Sequence, residues 1–473
     1  MAAACGLRQQ YSHIMGNTKT SFFTKDPGFK KTFFPLLIVI SLQQLAALCV
    51  NLVDNIMLGR YTELALSGAT LVNQMQFMLQ QLIYGTGTGV AVLGSQYWGK
   101  KRTEPICKIT GIGVKIALAA GFVFFIVTKL NPTGVLSLFT NDTAVVAEGV
   151  KYLSIMCWTY LIFAVSNTLM YSLQSVETAS VGTVMSLSTI CINAVLNYCL
   201  IYGNLGCPEL GIMGAAYATL TSRTVELIIV LVYILKIDKK LHMTVRLLLS
   251  FDVSYLSDFC KASLPVMASG IHWGVAQAAQ TAILGHMAAT VIAANAIAMV
   301  VSQIFMVVGM SGANAASVTM GKIVGQRRFD DVKPYARTIQ VIFLILGVSS
   351  CVLMLIFKNP IVSVYSVSEE AKTLARSFLT VMAFTGIGSC YEYPVEGGII
   401  AGGGDPKYQA IVDTLFMWCF TIPVSALAAF KFGAAPIVVF WILKADQFLK
   451  CIPNAIVCNR YKWVKDLTKQ NID

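Results

Sequence analysis

The segments LVDNIMLGR (52–60), ALSGATLVNQ (65–74) and GTGTGVAVLGSQYWGKKR (85–102) decide the fold, because the chain carries a second copy of them. The stretch from Pro35 to Arg102 returns between Pro265 and Arg328 as TAILGH (281–286), AANAIAMVVSQ (293–303) and GMSGANAASVTMGKIVGQRR (309–328). One offset without a gap places Gly59 on Gly285 and Arg102 on Arg328. A repeat of this length exceeds a solenoid unit. It indicates a duplicated half-protein, as in many membrane transporters.

The composition places the chain in a bilayer. Hydrophobic residues make up 56% and charged residues only 12%, with a mean hydropathy of +0.69. A soluble domain carries roughly 25% charged residues. The first apolar stretch, 33–57, holds only a few polar side chains and exceeds the ~20 residues that a membrane span needs.

Apolar segments of helical length predict twelve spans in two sets of six. The first set lies at 33–57, 64–98, 108–130, 146–173, 181–203 and 212–236, and the second at 262–286, 291–324, 335–358, 373–402, 408–430 and 435–458. We therefore predict an all-α polytopic membrane protein with two homologous six-helix bundles. Its predicted parts are a tail (1–31), a bundle (32–236), a linker (237–260), a second bundle (261–458) and a C-terminal tail (459–473). Segments of ~35 residues exceed one straight span and are expected to tilt or kink.

The basic residues predict the orientation. They gather in the tail (Arg8, Lys19), the loop after the second span (Lys100, Lys101), the linker (Lys239, Lys240), the loop after the eighth span (Arg327, Arg328) and the C-terminus (Lys465, Lys469). In a twelve-span topology these parts share one side, which the positive-inside rule assigns to the cytoplasm. The net charge of +12 follows from this topology, so no nucleic-acid partner is expected. Residues 1–31 lack the features of a signal peptide, and we expect a multi-pass plasma-membrane protein with both termini inside.

Two further stretches carry a family resemblance. They are ICINAVLNYCLIYGNLGCPELGIMGAAYATL (190–220) and GGIIAGGGDPKYQ (397–409). Together with the opening repeat they resemble the multidrug and toxic compound extrusion (MATE) family of cation-coupled antiporters, over nearly the whole chain after residue 30. The resemblance implies two six-helix bundles facing each other across a central cleft.

Asp54 is the first candidate cation-binding residue. It lies in an apolar helix, where a carboxylate is costly and therefore points to function, although an acid at the membrane interface is the plainer alternative. At 1.5 Å per residue from Phe33, Asp54 lies ~32 Å along the helix, near the edge of the bilayer core. The resemblance implies that this acid binds Na+ or a proton.

Asn193 and Asn197 lie four residues apart and share one helix face. Their amide oxygens can ligate a hard cation together with Asp54, but by themselves they favour hydrogen bonding between helices. The family often has Asp at the second position, so Asn197 leaves Asp54 as the one acid of this predicted site. The resemblance also implies an oxygen from Thr219, whose hydroxyl can instead bond its own helix.

Glu392 and Glu396 form a second acidic pair, on either side of Pro394. Their spacing places both carboxylates on one face. Apart from Lys444, we find no Lys or Arg in the cores of the neighbouring spans, so we predict an unpaired acidic pair that binds cation and substrate. The alternative is a water-filled vestibule or pairing with a base.

Trp273, Gln277 and Gln280 share a helix face at i, i+4 and i+7 and predict a surface on which an organic cation stacks. His272 beside them is more typical of a hydrogen-bonded packing residue. Gly85, Gly87 and Gly89 lack the strand and lysine of a nucleotide loop. No cofactor is therefore expected, and an ion gradient must supply the energy.

The predicted function is export of lipophilic, often cationic small molecules in exchange for Na+ or H+ by alternating access. We expect a monomer that interacts with the lipid bilayer and its substrate. A flippase of lipid-linked oligosaccharides is the first alternative, and would be expected to have fourteen spans. A polytopic membrane enzyme is the second, but the four His residues have no ligand spacing.

Overall fold

The computed structural model describes residues 21–140, 142–249, 252–363, 365 and 367–468. Within these ranges the chain is helical and contains no β-strand. The predicted cytoplasmic residues Arg8, Lys19 and Lys469, and with them most of the predicted tail 1–31, lie outside the described residues.

In the described residues before the linker, the first repeat and the chain that follows it form a series of α-helices. They are α1 (Pro27–Tyr61), α2 (Glu63–Gly99), α3 (Thr103–Leu130), the short α4 (Pro132–Ser137), α5 (Thr143–Ser175), α6 (Ser180–Tyr202) and α7 (Ile212–Val232). Helix α1 begins six residues before the predicted start, because Asp26 caps it by accepting a hydrogen bond from Gly28 N and Pro27 suits its first turn.

The rest of the chain forms helices of less regular geometry. They are the short α8 (Val245–Leu249), α9 (Val253–Gly285), α10 (Ala289–Gly325), α11 (Phe329–Ser363), α12 (Glu369–Tyr393), α13 (Lys407–Phe416), α14 (Ile422–Ala426), α15 (Pro436–Lys444), α16 (Asp446–Leu449) and α17 (Cys451–Arg460). Wider π-helical turns follow α12 (Pro394–Ile400), α13 (Met417–Thr421) and α14 (Leu427–Lys431). The predicted span 435–458 is thus broken into three pieces, α15 to α17.

The chain divides into two compact units. The N-unit comprises residues 38–94 and 102–267, and the C-unit comprises the described residues of 1–37, 95–101 and 268–473. The start of α1 belongs to the C-unit because Phe29 stacks edge-on against Tyr335, with ring centroids 4.9 Å apart. The predicted domain boundaries remain a prediction.

Each unit has its own apolar core. In the N-unit, α3 and α7 pack against α5, and the core is filled by side chains such as Leu79 and Tyr160. In the C-unit, α10 and α11 pack against α12, and Phe378 stacks on Phe440 with centroids 3.9 Å apart.

Apolar side chains also cover the outside of the helices. On α11, Ile345 and Ile356 expose about 60% of their surface, which is expected of a helix in contact with lipid. Among the described residues, eight helices are long and apolar enough to cross a membrane. The chain is an all-α, multi-pass membrane protein, as its sequence predicted.

Candidate cation-binding sites

Asp54 lies on α1 inside the N-unit, with 8% of its surface exposed. The Nδ2 atom of Asn197 donates a hydrogen bond to Asp54 Oδ1. Among the described residues, no Lys or Arg side chain forms an ion pair with this carboxylate. The structure therefore places Asp54 in the protein interior and not at an exposed interface, and amide groups take the place of a counter-charge.

Helix α6 supplies the amides because Asn193 and Asn197 lie one turn apart. Asn197 Nδ2 also donates to Asn193 Oδ1 at 3.0 Å, and Asn193 Nδ2 donates to Thr219 Oγ1 at 3.3 Å. The four residues predicted from the sequence are thus joined in one chain of hydrogen bonds. Together they offer carboxylate, amide and hydroxyl oxygens, the ligand types that a hard cation prefers.

The turn between α6 and α7 keeps these ligands in register. Gly203 ends α6 at a φ of +70°, a left-handed conformation that glycine adopts without steric cost. Leu210 N then donates to Leu200 O at 2.9 Å. A Cβ on Gly214 would lie 2.4 Å from the same carbonyl oxygen, so only glycine lets α7 start this close to α6.

One oxygen of this site has no protein partner. Asn197 Oδ1 is buried and accepts no hydrogen bond from the described residues. A buried acceptor without a donor is costly. A cation, or a donor such as water, beside Asp54 would relieve that cost.

Sequence reasoning did not identify an Arg–Glu ion pair on α7 of the N-unit. Arg223 Nη1 contacts Glu226 Oε2 at 2.8 Å on α7, and the guanidinium lies 5.1 Å from the centre of the Phe163 ring. Ser166 Oγ donates to the other oxygen of Glu226. The sequence contained a signal for this pair, because both residues are charged and lie inside the predicted span 212–236.

Glu392 and Glu396 are buried in the C-unit, where α12 gives way to a π-helical turn. The change occurs at Pro394, which has no N–H to continue the regular pattern. Both carboxylates are almost fully buried, at 5% and 2% exposure. Both acids therefore lie in the protein interior, and their binding of cation and substrate stays a prediction.

The prediction that this pair lacks a base is wrong. Lys450 Nζ contacts Glu392 Oε1 at 3.0 Å, Asp413 Oδ1 at 2.8 Å and Asp446 Oδ2 at 3.4 Å. Lys450 lies in the predicted span 435–458, between α16 and α17. We define Glu392, Glu396, Asp413, Asp446 and Lys450 as the acid–lysine cluster.

Glu396 lies at the edge of this cluster. Asn454 Nδ2 donates to Glu396 Oε2 at 3.0 Å, while Tyr408 donates to Asn454 Oδ1 at 2.8 Å. The other oxygen, Glu396 Oε1, is buried without a hydrogen-bond partner among the described residues. One carboxylate oxygen each of Glu392, Glu396 and Asp413 lies within 4.8 Å of the other two. The arrangement suits a hard cation or a shared proton.

Three of the predicted substrate-binding residues, Trp273, Gln277 and Gln280, lie on α9 of the C-unit. Gln280 is buried and its Oε1 accepts a hydrogen bond from Lys444 Nζ at 3.0 Å. Gln277 lies in the wall of a cavity beside them, and Trp273 is half-buried. His272 Nδ1 contacts Thr414 Oγ1 at 3.2 Å, but His272 is exposed, so its role in packing stays a prediction. Substrate contact by Trp273, Gln277 and Gln280 stays a prediction.

Duplicated helical halves with buried acids and oxygen ligands define the class of ion-coupled membrane transporters. A match to a family model identifies the family. The MatE model matches residues 40–199 and 265–427, and the chain therefore belongs to the MatE (multidrug and toxic compound extrusion) family.

Curated relatives agree over most of the chain. A probable multidrug resistance protein NorM from Streptococcus pneumoniae is 26% identical over 427 residues, covering 88% of this chain and 90% of the relative. A NorM protein from Bacillus thuringiensis subsp. konkukian is 24% identical over 413 residues, covering 86% of this chain and 89% of its own length. The family identifies the chain as a multidrug transporter and not an enzyme, as predicted.

Solved structures share the fold. A MATE crystal structure in complex with MaL6 superposes with a TM-score of 0.83 at 16% identity, covering 91% of this chain and 95% of that one. A MOP superfamily transporter from Pyrococcus furiosus gives the same TM-score, identity and coverage. These similarities confirm the predicted all-α fold class.

Proposed function

We propose that this transporter exports lipophilic, often cationic small molecules across the plasma membrane in exchange for Na+ or H+. The observation that carries the proposal is the Asp54 site, a buried carboxylate held by an amide and forming no ion pair with a described Lys or Arg. A buried charge without a counter-charge is unstable, so the site favours binding of a small cation or a proton.

The exchange follows from competition for negative charge. When Na+ or H+ neutralises Asp54, the attraction of the N-unit interior for an organic cation falls, and the substrate is released. When the small cation leaves, the carboxylate attracts a new substrate. The carboxylates of the acid–lysine cluster are a second place where a small cation can bind, since they outnumber its single ammonium. The multidrug relatives support this antiporter over the flippase alternative.

The decisive test is Asp54→Asn, which removes the charge and keeps the shape. We expect ethidium efflux from vesicles to fall by about two orders of magnitude under imposed Na+ and pH gradients, because the coupling ion has lost its carboxylate. Membrane insertion should equal that of the unchanged protein. Separate gradients would identify the ion.

A matched control is Asp142→Asn. Asp142 caps α5 by accepting from Ala144 N, and asparagine caps a helix equally well. Efflux by this control should be unchanged. Ethidium extrusion at the normal rate by Asp54→Asn would overturn the coupling role of Asp54.

A further inference from the structure

The internal repeat places an amide where its first copy has an acid. The offset that places Gly59 on Gly285 also places Asp54 on Gln280. Gln280 is buried, and its Oε1 accepts a hydrogen bond from Lys444 Nζ at 3.0 Å. The first copy thus buries an acid at this position, whereas the second copy buries an amide that is bonded to a base.

The base, Lys444, lies at the end of α15 with 6% of its surface exposed. An ammonium group has three N–H donors, and Gln280 Oε1 accepts one of them. Among the described residues, no carboxylate forms an ion pair with Lys444, and the next acid along the chain, Asp446, contacts Lys450 at 3.4 Å. The ammonium thus contacts a neutral oxygen and the ring of Phe440, whose centre lies 5.8 Å from Nζ.

Lys450, six residues further along the chain, shows how a buried lysine of this unit is neutralised by acids. It contacts three carboxylates at 2.8 to 3.4 Å. Lys444 is buried to a similar extent, since Lys444 and Lys450 expose 6% and 3% of their surfaces. A buried ammonium without a counter-charge carries a large desolvation cost. An anion beside Lys444 would offset that cost.

A small cavity in the C-unit lies beside this ammonium. It has about 40 Å³ of room, and about 10–15 Å³ holds one water, so a small inorganic anion fits and an organic molecule does not. Its polar lining consists of an ammonium, a hydroxyl and three amides, from Lys444, Thr281, Gln277, Gln280 and Asn295. Among the described residues, no carboxylate lines it. The three amides donate no side-chain hydrogen bond to the described residues, so their N–H groups are available to an anion together with the ammonium.

We propose that this cavity binds one small monovalent anion, of the size of chloride, as a counter-charge for Lys444. The ammonium donates to the anion with the N–H groups that Gln280 leaves unused, and Gln280 donates through Nε2. The site takes its ion from solution and does not depend on the transported substrate. It goes beyond the proposed function, because the second copy of the repeat then holds an anion at the position where the first copy has Asp54.

The first test locates the ion with bromide, which replaces chloride and scatters X-rays anomalously. Crystals of the unchanged full-length protein in sodium bromide should show an anomalous peak within hydrogen-bond distance of Lys444 Nζ and Gln280 Nε2. Crystals of Lys444→Met should lose that peak. Water density without an anomalous peak at this place in the unchanged protein would overturn the proposal.

The second test measures binding in solution through the thermal unfolding midpoint of the purified protein. Sodium chloride is compared with sodium gluconate at equal concentration, because gluconate is too large for the cavity and both salts supply the same Na+. Saturating chloride should raise the midpoint of the unchanged protein by about 2 °C or more over gluconate. Lys444→Met should lose this difference. In gluconate, Lys444→Met should be at least as stable as the unchanged protein, because an apolar side chain replaces an unpaired buried charge.

The control is Lys358→Met. Lys358 is half-buried and its Nζ also has one neutral partner, Thr380 Oγ1 at 2.7 Å. This variant should keep the full chloride effect. An equal chloride effect in Lys444→Met and the unchanged protein would contradict the site. So would a bromide peak without any chloride effect in solution, which would indicate an adventitious ion only. A failure of the proposed function would appear instead as normal ethidium efflux by Asp54→Asn.

Discussion

Asp54 in the N-unit and the acid–lysine cluster in the C-unit keep buried carboxylates in different ways. Asp54 is held by Asn197 and forms no ion pair with a described Lys or Arg, whereas Glu392, Asp413 and Asp446 surround the ammonium of Lys450. The first carboxylate relies on hydrogen bonds from neutral amides. The second site is partly neutralised by the protein itself. Under the proposed function, the first carboxylate exchanges its counter-charge, whereas the counter-charge of the second site is part of the fold.

The largest stability effect is expected from Lys450→Met. Removing the ammonium leaves three carboxylates facing one another in a buried site, and breaking such a pair costs about 3–5 kcal/mol. The unfolding midpoint of the purified protein should fall accordingly. Lys358→Met, at a half-buried lysine bonded only to Thr380, should have a much smaller effect.

A second variant keeps this prediction testable if Lys450→Met does not fold. Lys450→Met combined with Glu392→Gln removes one of the carboxylates that repel each other. It should recover part of the lost stability, since residues 392 and 450 are in contact. An unchanged midpoint in Lys450→Met would contradict the role of this lysine as the counter-charge. The acid–lysine cluster would then resemble the Asp54 site, because neither would depend on a lysine for its stability.

A smaller effect is expected at the amides of the Asp54 site. Asn197→Ala removes a hydrogen bond to a charged group, worth about 1.5–3 kcal/mol. The loss makes the ionised form of Asp54 less stable, so for H+ the concentration for half-maximal efflux should fall by about tenfold or more; for Na+ it should rise, because Asn197 Oδ1 is also lost as a ligand.

Asn193→Ala should have a weaker effect than Asn197→Ala, because Asn197 donates the short hydrogen bond to Asp54 and Asn193 accepts one from Asn197. Asn193 also donates to Thr219 on α7, and in membrane proteins such interhelical hydrogen bonds contribute about 0.6–2 kcal/mol. Ethidium efflux measured over a series of ion concentrations gives both values. Equal effects of the two variants would show that the hydrogen-bond order seen here does not control ion binding.

The Asp54 site was largely predictable from the sequence. The spacing of Asn193 and Asn197 fixes a shared face, and the family resemblance suggested that Asp54 and Thr219 join them. The structure confirms that the four come together. The unpartnered Asn197 Oδ1 was not predictable, because it depends on which way the side-chain amide turns.

The acid–lysine cluster was predicted only in part. Glu392 and Glu396 were found because they lie one turn apart, but Asp413 and Lys450 come from other helices, 37 residues apart along the chain. No periodic pattern connects residues at such a separation. Each nevertheless carried a signal by itself, a charged side chain within an apolar span. Applying to Asp413 and Lys450 the rule that selected Asp54 would have found them.

The helix boundaries, too, were predicted only in part from the sequence. The predicted spans follow apolar residues, so α9 was expected to start at 262 although it starts at Val253. Its first turns carry polar residues, and they are helical because the backbone hydrogen bonds continue beyond the apolar stretch. Hydropathy identifies which residues suit lipid, while backbone hydrogen bonds decide where a helix ends.

The smallest effect is expected at an acid–base pair in contact with water, Asp26 with Arg328. Asp26 accepts hydrogen bonds from Tyr335 at 2.7 Å and from Arg328. These two contacts lower the pKa of Asp26 from 3.8 to about 2. Because the pKa is lower in the folded state, the contacts stabilise the protein above a pH of about 4. Their contribution disappears as the pH falls through about 2.

Asp26→Asn should therefore cost only about 0.2–1 kcal/mol at neutral pH, as exposed ion pairs usually do. The asparagine preserves the cap of α1, so the loss reports the charge alone. High salt should abolish the difference by screening the pair. The penalty for Lys450→Met should persist in salt because that cluster is buried. Unfolding midpoints at low and high salt check both statements, and a salt-independent loss of several kcal/mol in Asp26→Asn would remove the distinction between water-exposed and buried pairs.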